Sequence, residues 1–192
     1  MATTNFGISD FMSKIDGLGS YAKADKFTIQ IIPPALTVRQ GSVNPSTIDF
    51  LAKKVSFPAR TFGTTTYRSA GMFSLEVPYE TTYEPVSISF MGTNDYSVRK
   101  FWLDWFEFIQ RTGDTASGSV GRYNMKYYKQ FKSPGITITS YDEEAGMNAT
   151  HKIKLHDAWP KTISAIELGW DQSDPLEFDV DIVYSRWTTE TI

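Results

Sequence analysis

Cysteine is absent from the 192 residues. That removes disulfide bonds, thiolate metal centres and a cysteine nucleophile together. Histidine is nearly absent too, with only His151 and His156. On one strand these two would point to opposite faces, so they could not share a metal ion by that route. No apolar run approaches the roughly 20 residues a helix needs to cross a bilayer, so no membrane partner is expected. The first residues, MATTNFGISDFMSKIDGL, lack a basic stretch followed by an apolar block, so no signal peptide is expected.

Catalytic motifs are missing as well. The stretch GSVGR lacks the Lys-Ser/Thr that completes a phosphate-binding loop. No Gly-x-Ser-x-Gly elbow occurs. Asp171 and Asp174 lie in WDQSDP, which reads as a turn because the regular Asp-x-Asp-x-Asp-Gly spacing of a calcium loop is missing. Glu143 and Glu144 fall at an expected hairpin tip, where solvent surrounds them. The expectation is a protein with no catalysis, no metal and no cofactor.

What is present is aromatic and alternating. Aromatic residues make up 15% of the chain, and 192 residues are enough to bury a large core without staples. KFTIQII (26–32) places Phe27, Ile29 and Ile31 on one face, as a strand does. KKVSFPART (53–61) reads as a short strand closed by Pro58. TTYRSAGMFSLEV (65–77) reads as a hairpin turning at 69–71. PVSISF (85–90) reads as a further strand. ITITSY (136–141) and HKIKLH (151–156) form another hairpin. ISAIELGW (163–170) and LEFDVDIVYSRW (176–187) alternate in the same way. In the last of these, Glu177, Asp179 and Asp181 stand opposite an apolar row.

One long helix is clear. Over 94–110, Val98, Phe101, Trp102, Trp105, Phe106 and Ile109 recur at helical spacing, with Asn94 or Asp95 as the cap. A shorter apolar stripe of Ile8, Phe11, Met12, Ile15 and Leu18 predicts an N-terminal helical arm within 1–20. Residues 33–50 and 111–122 are rich in small and polar residues and read as loops. The expected fold is mainly β with one or two helices: a single-domain antiparallel sandwich or small barrel with a covering helix. Trp102, Trp105, Trp159 and Trp170 are expected in its core.

Charge is unevenly placed. Residues 1–133 hold 15 Lys and Arg against 11 Asp and Glu, and residues 134–192 hold 4 against 11. Such polarity can steer one copy onto another or onto an acidic partner; loops that happen to differ would produce it too. RYNMKYYKQFK (122–132) interleaves Lys and Arg with rings, as single-strand nucleic-acid binders do. In an acidic chain, a wet strand or a subunit contact is the better reading, since Tyr is enriched in interfaces.

Taken in order, several segments resemble the tail tube proteins of contractile-tailed bacteriophages. KFTIQI looks like that family's first strand, and VSFPA (55–59) like its short proline-ended segment. VRKFWLDWFEFI (98–109) looks like its central helix. The corner Trp159-Pro160, the turn Trp170-Asp171 and the final strand ending at Tyr184 to Trp187 look like its C-terminal part. The resemblance covers about residues 11–187. Residues 33–50 and 111–122 are longer than the family pattern.

That resemblance implies six-membered rings stacked head to tail into a tube, with neighbouring subunits joining their sheets around a lumen. Partners would be further copies, sheath, and baseplate or tail-terminator proteins. Tape-measure protein and DNA would pass as cargo without specific binding. The location would be the virion tail, after assembly in the host cytoplasm. Phe11, Met12 and Ile15 become candidate subunit contacts. Glu177, Asp179 and Asp181 become candidate lumen residues, or else an outer face. Two other readings stay open: a baseplate initiator or terminator ring, or the tube of a related injection system; and a carbohydrate-binding sandwich using Tyr67, Tyr79 and Tyr83.

Overall fold

The computed structural model describes residues 7–8, 12–14, 25–34, 48–49, 51–68, 73–110, 125–142, 148–170 and 175–190. The strands are β1 (Phe27–Ile32), β2 (Ala52–Val55), β3 (Arg60–Arg68), β4 (Ser74–Tyr83), β5 (Val86–Met91), β6 (Gly135–Tyr141), β7 (Ala149–His156), β8 (Trp159–Ile163), β9 (Glu177–Val183) and β10 (Arg186–Glu190). Helix α1 (Ser97–Ile109) follows β5, and the single turn α2 (Tyr128–Phe131) precedes β6. All pairings are antiparallel. One sheet runs β1-β6-β7-β10 and a second runs β2-β5-β9-β8, while β3 and β4 pair with each other.

Alternation decides which side of each sheet is dry. Ile29, Ile31, Ile136, Ile138, Ile153 and Leu155 line the first sheet's inner face. Val86, Ile88, Phe90, Phe178, Val180 and Ile182 line that of the second. Both rows belong to one hydrophobic cluster, so the architecture is a sandwich. Neither sheet closes on itself among the described residues.

Helix α1 presses its bulky stripe into this cluster through Val98, Phe101, Trp102, Trp105 and Ile109. The Trp102 and Trp105 rings stack with centroids 5.6 Å apart and planes 2° apart. Phe90 packs on Trp102 at 5.4 Å and on Phe178 at 5.9 Å, joining helix to sheet. The helix starts at Ser97 because Tyr96 adopts a left-handed φ of 55°. Thr93 Oγ1 and Asp95 Oδ1 each accept the Ser97 amide at 3.2 Å. Hydrogen bonding from the Thr93 side chain, then from the Ser97 side chain and amide, holds the Asp95 carboxyl down to about 2.

Three sequence expectations are corrected. The strand expected at 163–170 lies instead at Trp159–Ile163, and residues 164–169 belong to no strand. Trp170 is therefore not a core residue: it is fully exposed, because the chain has left the sheet before reaching it. The alternating run 176–187 is two strands, since it bends at Tyr184 and Ser185 between β9 and β10. Trp159 is half-buried and packs against the edge of the core.

Candidate assembly interface

Strands β2 and β3, paired with β5 and β4, form one long ribbon. Val55 faces Ile88, and the Ser56 amide donates to the Ser87 carbonyl at 3.1 Å. Arg60 then faces Tyr83 in the same unshifted register. Between these pairs, Pro58 stands opposite Pro85 in that register. Neither proline has an N–H to donate, so the ladder breaks there and the ribbon is divided.

The base of the ribbon is built into the second sheet. Its outer half, β3–β4, is exposed on both faces almost throughout. Tyr67 faces Leu75 and Thr65 faces Val77 across that half. The Tyr79 ring lies over Gly63, where an added Cβ would approach it to 3.3 Å. Tyr67, Leu75, Val77 and Tyr79 thus form an apolar row, 62%, 65%, 39% and 69% exposed respectively. An isolated two-stranded ribbon is marginal in water, which makes this exposed apolar row the candidate contact surface.

The ribbon is anchored where it leaves the sandwich. Tyr83 packs on Tyr184 at 5.9 Å, and the Tyr184 hydroxyl donates to the Glu84 carbonyl at 2.8 Å. Burial, with Tyr83 and Glu84 nearby, pushes that hydroxyl up to about 12, so it stays a donor.

The outer face of the second sheet carries the acidic row. Asp181 faces Ser87, Asp179 faces Ser89 and Glu177 faces Met91. All three carboxylates stand on the side away from the core, as their alternation with Phe178, Val180 and Ile182 requires. Ser89 donates to Asp179, and Lys53 bridges to Glu177.

Two of the sheet edges are blunted. Asp49 Oδ1 accepts the outward amide of Ile31 on β1 at 3.2 Å. Strand β8 contains Pro160 and shifts register between Pro160 and Thr162.

The remaining candidates fall elsewhere. Met12 is exposed, while Phe11 and Ile15 lie outside the described residues. Most of 33–50 and all of 111–122 also lie outside them. His151 sits edge-on to Phe57 at 6.1 Å, and His156 Nε2 contacts Thr188 Oγ1 at 2.8 Å. No group of His, Asp and Glu fit to hold a metal occurs among the described residues. Within the basic aromatic stretch, 128–131 form α2 rather than a strand; Lys132 pairs with Asp157 at 2.6 Å and holds its carboxyl below the usual range. Tyr67 and Tyr79 share the ribbon's apolar row, whereas Tyr83 packs against Tyr184, so the three form no common sugar platform. Leu75 and Val77 are the residues of this exposed row that sequence reasoning missed. The alternation of SLEV was legible, but nothing in it says that the row stays uncovered.

A family profile described as phage tail tube protein matches residues 22–190. Three solved structures share the fold. A chain of the anti-feeding prophage baseplate, six-fold symmetrised, aligns with a TM-score of 0.61 at 13% identity, covering 89% of this chain and 96% of that one. A chain of the sheath–tube complex of the extracellular contractile injection system PVC, in its extended state, aligns with a TM-score of 0.60 at 12% identity, covering 94% and 97%. A chain of the anti-feeding prophage tube-terminating cap aligns with a TM-score of 0.58 at 14% identity, covering 100% of both. No curated protein sequence matches the chain.

Proposed function

The chain belongs to the phage tail tube protein family, and from that premise we propose that it is a structural subunit of a phage tail inner tube. Its copies form stacked six-membered rings, and the lumen conducts DNA toward the host. The observation that carries this reading is the β3–β4 ribbon, exposed on both faces with an uncovered apolar row. Burying such a row is worth roughly 25 cal/mol per Å² of apolar surface, a driving force for self-association.

The acidic row then faces the lumen. Asp181 and Asp179 face Ser87 and Ser89, and Glu177 faces Met91, on a face that has no apolar stripe to hold cargo. A negative wall repels phosphate, so DNA passes without sticking. Phe11, Met12 and Ile15, on the N-terminal arm within 1–20, supply a further contact to a neighbouring copy. The loops at 33–50 and 111–122 elaborate a single domain spanning 1–192 and meet sheath, baseplate or terminator proteins. The role is structural rather than catalytic, and the location is the virion tail.

Negative-stain microscopy of the purified chain tests this directly. Rings that stack into tubes are expected. Single rings that never stack would point to a baseplate initiator or terminator instead. Dispersed monomers at every concentration would overturn the reading.

A further inference from the structure

Strand β1 has the composition of a segment that templates foreign strands. Phe27–Ile32 reads FTIQII, with no charge, no proline and no glycine. All of it except Gln30 is β-branched or aromatic. Runs of about six such residues are what cross-β assemblies stack. Asp25 and Lys26 precede the run and Pro33 and Pro34 follow it, so charge and proline flank it without interrupting it. Its place is also exposed to pairing: in the order β1-β6-β7-β10, β1 is an edge strand.

A side chain covers part of that edge. Alternate amides of an antiparallel edge strand point outward, and that of Ile31 donates to Asp49 Oδ1 at 3.2 Å. Asp49 is pinned by its neighbours. Ile48 is 0% exposed, inside the cluster that both sheets share. The Leu51 amide donates to the Ile48 carbonyl at 3.0 Å, and the Leu51 carbonyl accepts the Met91 amide at 2.9 Å. The chain then enters β2, the edge strand of the second sheet. Packing does not account for an aspartate here. Burial raises its carboxyl to about 6, an unfavourable setting for a charged group. What the carboxyl does supply is an acceptor for the outward amide.

We propose that the turn from Ile48 to Leu51 is an autoinhibitory strap: through Asp49 it withholds β1 from strands of other chains, above all the same segment of a second copy. A strand adding to β1 needs the Ile31 amide and obtains it only after Asp49 has left. Ile48 opposes that departure, because lifting the strap exposes a buried isoleucine. The strap therefore suppresses cross-β growth from a folded chain, a state that competes with any ordered assembly. It acts whether or not the chain forms a tube.

The test uses the folded chain and a fluorescent peptide of residues 26–32. The parent should not bind the peptide. Asp49→Ala removes the acceptor; it should take up peptide and grow thioflavin-positive aggregates while its circular dichroism stays native. Its Ile31 amide should exchange about tenfold faster or more than in the parent. Asp49→Asn keeps an acceptor and should behave as the parent does. Gln30 lies on the exposed face of β1. Gln30→Lys added to Asp49→Ala should suppress uptake and growth, because a charge within the run opposes stacking. Growth that Gln30→Lys leaves unchanged starts elsewhere and overturns the proposal. A folded Asp49→Ala chain that neither binds peptide nor aggregates overturns it too. Where Asp49→Ala fails to fold, Asp49→Ser, with a hydroxyl too short to reach the amide, takes its place. A parent chain that binds the peptide overturns the proposal without any variant. Ring formation is not read in this experiment, so the tube reading stands or falls separately.

Discussion

The Trp105 indole N–H donates to the Phe131 carbonyl at 3.0 Å, tying helix α1 to the turn α2. Its stacked neighbour Trp102 is equally buried, yet its indole N–H has no partner among the described residues. The two tryptophans therefore predict different costs. Truncating either to Ala should destabilise by ~3–5 kcal/mol. Replacement by Phe separates them. Trp105→Phe strands a carbonyl, adding about 1–3 kcal/mol, whereas Trp102→Phe only removes an unpaired donor. Chemical denaturation of the two Phe variants should show Trp102→Phe to be the milder.

Asp49 predicts a pH dependence. Burial raises its carboxyl from 3.8 to about 6, outweighing the Ile31 amide bond that lowers it. The folded state thus holds this proton more tightly than the unfolded chain. The contribution is fully present below about pH 4 and is lost as pH rises through about 6. Asp49→Asn keeps an acceptor for Ile31 without the charge. Allowing for solvent screening, it should stabilise by about 1–2 kcal/mol at pH 8. The gain should vanish near pH 4. Melting curves of parent and variant across that range check the sign.

The ribbon row should matter to assembly and not to folding. Tyr67 and Leu75 are both more than half exposed in the single chain. Changing both to Ser should alter stability by no more than about 0.5 kcal/mol per site. Ring formation should fall sharply. Thermal melts and size-exclusion profiles on one preparation separate the two effects.

Trp170 should behave unlike the other tryptophans of the C-terminal part. It is fully exposed, so Trp170→Ala should melt within about 0.5 kcal/mol of the parent. Trp159 packs edge-on against Phe131 at 5.7 Å, so Trp159→Ala should lower the melting temperature measurably. Equal losses from both variants would mean that Trp170 is buried.

Periodicity was enough to find α1, β1, the β6–β7 hairpin and the two faces of β9. In each, local spacing decides which side chains can be dry, and the core is where those sides meet. The absent cysteine and the sparse histidine likewise exclude whole classes of chemistry without any coordinates. What sequence could not decide was partnership. ISAIELGW alternates as well as KFTIQII does, but one run is drawn out of the sheet and the other is paired along its length with β6. The register that sets Pro58 against Pro85, and so frees the outer ribbon, depends on residues far apart in the chain. Alternation records that a strand can bury one face. Only the tertiary structure decides what lies against it, because strand pairing is a long-range contact that no local pattern encodes.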